Sequence, residues 1–184
     1  MSRKLSIISA GKQYDVDALK KIARGIVKDF NPLFGSVEIE EGYENYEQCL
    51  NTDGFIPLYL LKTQLPRYIK NSKKGCDIVL CIFPYNIFGD GFSGEEDVAF
   101  ISTHPEYVSD SLEKEVFIRR CRKLGDYVLG RSLGLEWHEK PVGGLGCIMD
   151  KPPYAGTPVE ELTRHLDSMQ KKKFCDDCKI KLSL

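Results

Sequence analysis

The chain of 184 residues, 42% hydrophobic and 29% charged, has the size and apolar content of one globular domain with a core of ordinary extent. Its formal net charge of −1 and pI near 6.3 exclude a whole-molecule basic field able to hold a nucleic-acid backbone or an anionic membrane. The longest strongly apolar run, Ile78 to Phe83, is too short to span a bilayer, and Met1-Ser2-Arg3-Lys4-Leu5 lacks a signal-peptide apolar core. The expectation is a cytoplasmic protein with neither nucleic-acid nor membrane partners.

In chain order, Lys4 to Ser9 reads as a short apolar strand. Asp15 then caps a helix whose apolar face carries Val16, Leu19, Ile22, Ala23, Ile26, Val27 and Phe30. Ser36 to Glu41 alternates as the next strand, and a strand, helix, strand opening predicts a right-handed crossover between two parallel strands. Ile56 to Ile69 is apolar enough for a second helix, with Pro57 in its first turn and Pro66 kinking or shortening its end. Asp77 to Phe83 is the continuous apolar run of a strand buried on both faces, and Val98 to Ser102 forms another strand after turns at Gly89-Asp90-Gly91 and Ser93-Gly94. The sheet therefore has four strands or more.

Asp110, with Glu113 three residues on, starts a long helix striped by Val116, Phe117, Cys121, Leu124, Val128 and Leu135, and Gly134 ends it. Thr157-Pro158-Val159-Glu160 combines a cap, a Pro at the first helical position and the Glu of a capping box, so a last helix runs to about Lys171. The triplet Lys171-Lys172-Lys173 is accounted for by the dipole of that helix. No repeat or linker divides the chain, which reads as a single domain over 1–184, with a sheet-and-helix part over about 1–134 and a C-terminal lobe over about 135–184. Seven Cys, an odd number, argue against a disulfide framework. Cys76, Cys81 and Cys121 lie in apolar or helical stretches, where a reduced thiol behaves as a small hydrophobe.

Tyr127-Val128-Leu129-Gly130-Arg131-Ser132-Leu133-Gly134-Leu135-Glu136-Trp137-His138 resembles a zinc-protease signature with its catalytic letters replaced. Metzincin peptidases carry H-E-x-x-H-x-x-G-x-x-H and then a Met-turn, because two His one helical turn apart and a third beyond a Gly turn grip a catalytic zinc. With Gly134 on the motif's Gly, Tyr127 and Arg131 fall on the helical His, Val128 on the Glu and Trp137 on the last His, while Met149 takes the Met-turn position. Cys147-Ile148-Met149 and Cys175-Asp176-Asp177-Cys178 extend the likeness to the archaemetzincins, and Phe88 to Ser102 is similar to that family's Gly-containing turn and the edge strand roofing its cleft. The resemblance is specific from about Phe88 to Cys178.

The resemblance implies a metzincin-like α/β fold: a small twisted mixed sheet with an antiparallel edge strand, flanking helices and a zinc-clamped C-terminal lobe. It also implies one structural zinc per chain, held by His138, where the family has Cys, together with Cys147, Cys175 and Cys178. The loop from His138 to Cys147 is longer than the family's. A Cys3His set suffices for a closed tetrahedral site. That zinc would tie the tail to the loop after the long helix, two segments otherwise sharing little apolar surface. The alternative is a solvated His138 with only Cys175 and Cys178 paired.

A catalytic zinc is not expected. Hydrolytic zinc needs lone pairs and a base, whereas Arg131 is a fixed cation without an acceptor, Val128 cannot move a proton and Trp137 is a donor only. Tyr127, Val128, Arg131 and Trp137 either refill a vacated cavity or leave a cleft in which Arg131 meets a carboxylate of an extended peptide. The expectation is a proteolytically inactive protein with a peptide or protein ligand. The competing readings are altered hydrolytic chemistry at Asp126, Glu136 and His138, or a purely structural role for a zinc-stapled domain. Oligomeric state is open.

Overall fold

The structure, a computed structural model, describes residues 2–11, 14–40, 47–52, 54–57, 59–60, 64–72, 75–87, 92–95, 97–103, 113–141, 146–151, 159–169 and 171–184. Asp110, Thr157, Pro158, His104 and the turn at 88–91 lie outside them.

Strand β1 (Arg3–Ser9) leads into helix α1 (Val16–Asp29) and strand β2 (Phe34–Ile39). Asp15 caps α1 as its sequence position requires, its Oδ1 accepting from the N–H groups of Asp17 at 2.8 Å and Ala18 at 3.3 Å. A short 3-10 turn (Glu47–Cys49) precedes β3 (Phe55–Ile56), α2 (Leu65–Ser72), β4 (Ile78–Phe83), β5 (Asn86–Ile87), β6 (Phe92–Glu95) and β7 (Val98–Ser102). Helices α3 (Lys114–Ser132), α4 (Val159–Met169) and α5 (Asp176–Leu182) follow. Among the described residues no helix is long and apolar enough to cross a membrane.

Among the described residues the main sheet has five strands in the order β2-β1-β4-β7-β6. β1 pairs in parallel with β2 and β4, and β4 with β7, while β6 runs antiparallel to β7 as the edge strand, so Ser93 and Gly94, expected in a turn, lie in the edge strand, and Val98–Ser102, likened to the edge strand, is paired on both sides. The parallel strands need crossovers, and α1 supplies the first. The continuous apolar run of β4 is explained by its two faces. Ile78, Leu80 and Ile82 enter the core beneath α1 and α3, whereas Val79, Cys81 and Phe83 join a smaller cluster with Ile56, Leu65 and Ile69.

Several expectations are corrected. The long helix α3 begins at Lys114 behind its N-cap Glu113, and not at Asp110. The segment from Ile56 to Ile69 is not one helix: Phe55 and Ile56 form a strand beside β5, and α2 begins only at Leu65. Pro66 lies in the first turn of α2, where its missing N–H has no helical acceptor to lose, and so it helps to start a helix instead of ending one. The helix expected to be the last, α4, ends at Met169 as placed, but α5 follows it, and the Lys triplet has a partner besides a helix dipole, since Lys172 Nζ meets the buried Asp150 Oδ2 at 3.0 Å. The C-terminal lobe also shares far more apolar surface with the rest than expected. Ile148, Met149, Leu166, Met169, Phe174 and Leu182 all belong to the main core, and the Phe174 ring meets Phe30 edge-on at 5.0 Å.

A buried charge network joins α1 to α3. Arg122 grips Asp29 through Nε and Nη2 at 2.7 to 3.0 Å, and Lys123 Nζ bridges Asp29 at 3.1 Å and the fully buried Asp126 at 3.0 Å. Burial pushes the Asp126 carboxyl well above its ordinary value, against the pull of Lys123 and with the push of Asp29. Burial also raises Asp29, but hydrogen bonds from Asp126 and Arg122 and the charge of Lys123 outweigh it, so Asp29 is lowered.

A raised folded-state value means that the contribution of Asp126 is fully present below the unfolded value of 3.8 and is lost as pH rises through the folded one. Asp126→Asn keeps an acceptor for Lys123 and supplies an N–H toward Asp29, as the protonated acid does, without the charge. The variant is therefore expected to gain stability relative to wild type progressively as pH rises above the unfolded value of 3.8, read as the difference in urea unfolding free energy. A difference that does not change with pH would show that Asp126 is not the titrating group.

Candidate metal centre

Helix α3 ends in a way that fixes everything downstream. The N–H of Gly134 donates to Arg131 O at 3.0 Å and that of Leu135 to Gly130 O at 2.9 Å, with Gly134 at φ +87°. These are the paired bonds of a Schellman turn, whose left-handed position favours Gly. The reversal lays the Trp137 ring over the Arg131 guanidinium at 4.7 Å and sends His138 toward the lobe.

His138 is held by its backbone, its N–H donating to Met149 O at 2.7 Å and its carbonyl accepting from Lys151 at 3.0 Å. Gly146, at φ +75°, opens the turn that follows. In this turn the Cys147 N–H donates to Asp150 Oδ2 at 2.9 Å and the Asp150 N–H returns to Cys147 O at 3.1 Å. The Ile148 N–H then bonds Lys173 O at 3.1 Å, which sets the Cys147 segment beside the approach to Cys175. Cys175 is the N-cap of α5, and Cys178 lies in that helix's opening turn.

Three chain segments thus bring four donors together. The ligand atoms of His138, Cys147, Cys175 and Cys178 lie within 4.8 Å of one another. His138 Nε2 is 3.3 Å from both Cys175 Sγ and Cys178 Sγ, and Cys147 Sγ is 3.8 Å from Cys178 Sγ. Tetrahedral zinc with Zn–S of about 2.3 Å and Zn–N of about 2.0 Å requires edges of about 3.8 Å between sulfurs and about 3.5 Å between nitrogen and sulfur. The set fits zinc and is far too wide for a disulfide.

The surroundings of the thiols point to a cation. Cys147 Sγ accepts N–H groups from Met149 at 3.4 Å and Cys175 at 3.3 Å, the outer-sphere support that a thiolate ligand needs. Burial and the neighbouring Cys175 thiol push the Cys147 thiol up, although the two N–H groups oppose them; burial and the other two thiols push Cys178 up as well. Three thiolates do not coexist here without a positive ion, and a metal removes their protons outright. His138, Cys147, Cys175 and Cys178 can therefore bind one zinc, with His138 as the fourth member and not a solvated bystander. No other such group of three or more donors occurs among the described residues.

The residues on the metzincin motif fall into two groups. Tyr127 and Val128 are buried in the main core, so these two do fill space. Trp137 is 43% exposed and does not refill a cavity. Its Nε1 donates to Glu139 at 3.1 Å, and Glu139 in turn holds Lys151 at 2.9 Å, whose ammonium stands 5.7 Å from the ring. Arg131 Nη1 donates to Leu135 O at 2.7 Å. Arg131 and Trp137 meet just as the second and third His of the motif must meet at a metal.

Met149 lies fully buried against α3, close enough to Gly130 that a Cβ there would stand 2.8 Å from its Sδ. Asp126, Glu136 and His138 are not gathered into one site. Asp126 is held by Lys123, Glu136 is exposed and His138 faces the thiols. Glu139, Asp150 and Lys151 escaped the sequence reading, although Asp150 directly follows the Cys-x-Met turn that it clamps.

No family model matches the sequence, and no curated protein matches it. Solved structures match over nearly the whole chain. A zinc-dependent peptidase from Methanocorpusculum labreanum aligns with TM-score 0.67 and 16% identity over 97% of this chain and 99% of its own. The archaemetzincin of Methanopyrus kandleri gives 0.66 and 16% over 99% and 94%. That of Archaeoglobus fulgidus, complexed with malonate, gives 0.60 and 17% over 97% and 99%. At this identity the likeness is one of architecture: the chain has the archaemetzincin fold and, within it, a Cys/His cluster able to hold zinc.

Proposed function

We propose that this is a proteolytically inactive protein of archaemetzincin fold, held by one structural zinc, whose cleft binds an extended peptide instead of cleaving it. The observation that carries the reading is the stacked Arg131 and Trp137 pair at 4.7 Å, a fixed cation on an aromatic face where the metzincin motif would place two metal-binding imidazoles. Neither side chain offers a lone pair to a metal, and neither Val128 nor the buried Tyr127 is a base for a metal-bound water at neutral pH.

The same pair suits binding. Beyond its bond to Leu135, the Arg131 guanidinium makes no further hydrogen bond among the described residues. Edge strand β6 terminates the sheet, and α3 packs against β6 and β7. An extended peptide adding to β6 gains backbone hydrogen bonds, and a carboxylate on it pairs with Arg131.

The test is a peptide library assayed first for cleavage and then for binding by fluorescence polarisation. Wild type is expected to bind without cleaving. Arg131→Ala is expected to weaken binding by about tenfold or more, the worth of a lost charge-assisted hydrogen bond, in a protein that stays folded with its urea midpoint modestly lowered by loss of the Leu135 bond and the Trp137 stacking. Turnover by wild type removes the inactivity, and equal binding by the variant removes the role of Arg131.

A further inference from the structure

A cavity of about 370 Å³ lies between the lobe and α1 and α3, and none of the metal-site thiols lines it. Its wall is built from the chain neighbours of three metal ligands, namely Ile148 after Cys147, Phe174 before Cys175 and Lys179 after Cys178. Its apolar lining is Leu184, which is half-buried, with Ile148 and Phe174, which are 1% and 5% exposed and held rigid in the main core, Phe174 braced on Phe30.

The rest of the lining is mostly cationic. Lys28, Arg122, Lys173 and Lys179 face the cavity against one acidic side chain, Asp29. Asp29 is already engaged by Arg122 and Lys123, and Lys179 pairs with Asp176 at 2.9 Å. Lys28 and Lys173 have no ion-pair partner among the described residues, and Arg122 Nη1 donates to none of them. On a chain with a net charge of −1 this is a local concentration of unneutralised positive charge. A helix dipole accounts for Lys28 and Lys179, which lie in the last turns of α1 and α5. It accounts for neither Lys173, in the extended segment between α4 and α5, nor Arg122, in the middle of α3.

We propose that this cavity is a binding site for a small organic anion, a phosphate or carboxylate carried on an aromatic or aliphatic body. The ammonium groups of Lys28 and Lys173 and the Nη1 of Arg122 take the charged head. The body lies against Leu184 and the edge of Phe174. An apolar floor with a few convergent polar groups is the usual form of a small-molecule site, and Arg122 is pre-positioned by its two-pronged grip on Asp29. The site is separate from the Arg131 and Trp137 pair, and its occupancy does not depend on whether that cleft binds peptides.

The experiment is a titration of zinc-loaded, isotope-labelled protein followed by amide chemical shifts, with phenyl phosphate, phenylacetate, inorganic phosphate and phenol as separate probes. At least one of the two aromatic anions is expected to shift the amides of Ile148, Phe174 and Lys179 saturably, and the tighter of the two identifies the head group. Inorganic phosphate and phenol, each with half of the recognition, are expected to bind about tenfold more weakly or worse. The double variant K28A/K173A changes only exposed side chains and is expected to weaken the preferred anion by about tenfold with its spectrum otherwise preserved. Absence of a saturable shift for either aromatic anion up to about 10 mM, or equal affinity in the double variant, overturns the proposal.

Discussion

Cys147→Ala is expected to lower bound zinc from one per chain to none, measured by elemental mass spectrometry on protein purified without chelator. Cys147 is the most exacting of the four positions: it is fully buried and its sulfur takes N–H groups from both Met149 and Cys175. Its loss therefore removes a ligand and the support that aligns two chain segments. A zinc present at about 1,000 times its dissociation constant contributes about 4 kcal/mol to stability, and a drop of that order in urea unfolding is the expected cost. Amide protection should fall most over 146–151 and 171–184. The sheet should survive, because Met149, Phe174 and Leu182 remain packed in the main core. Full zinc retention by the variant would refute the assignment of the site.

Gly130→Val is expected to destabilise the protein by about 3 kcal/mol, at the upper end for overpacking of a filled interior. A Cβ at this position would stand 2.8 Å from Met149 Sδ, 3.3 Å from Leu135 Cδ1 and 3.5 Å from Phe174 Cε1. The first is closer than packed atoms tolerate and the second is tight, and all three atoms belong to buried core side chains with little room to move. Gly130→Ala should cost much less, since the gain in helix propensity of about 1 kcal/mol offsets part of the clash. Urea unfolding of both variants checks the pair. Wild-type stability for the Val variant would mean that α3 and the Met149 turn are not in close contact. Gly130 is thus where the long helix and the metal-bearing lobe meet.

Much of the framework was legible because it is local. β1, α1, β4, β7 and the end of α3 at Gly134 all follow from the period of apolar residues and from caps. The Cys3His set was legible from the resemblance, through the Cys-x-Met and C-x-x-C spacings. What could not be read is what depends on distant partners. Lys123 and Asp126 sit on a helix in positions that suggest an outer face, yet both are buried because Asp29 and Arg122 complete their network from α1 and α3. Helix α5 was missed because its seven residues start at the C-x-x-C itself, so Cys175 and Cys178 read as ligands and not as a helix opening. The contact between Phe30 and Phe174, which joins the lobe to the first helix, spans most of the chain and leaves no local signature.

That contact has a bearing on how the ion is acquired. Phe174, one residue before Cys175, is seated on Phe30 by apolar packing alone, and Met149, two residues after Cys147, is seated against Gly130. Neither anchor uses a metal-binding atom, so the apoprotein is expected to keep its donor-bearing segments near one another. Zinc uptake is then expected to be a bimolecular encounter whose rate, followed by stopped-flow, rises in proportion to free ion concentration instead of levelling at a refolding limit. Exchange for a competing ion follows the same route, so the identity of the resident metal is decided by relative availability and donor softness each time the site turns over, and not once at folding.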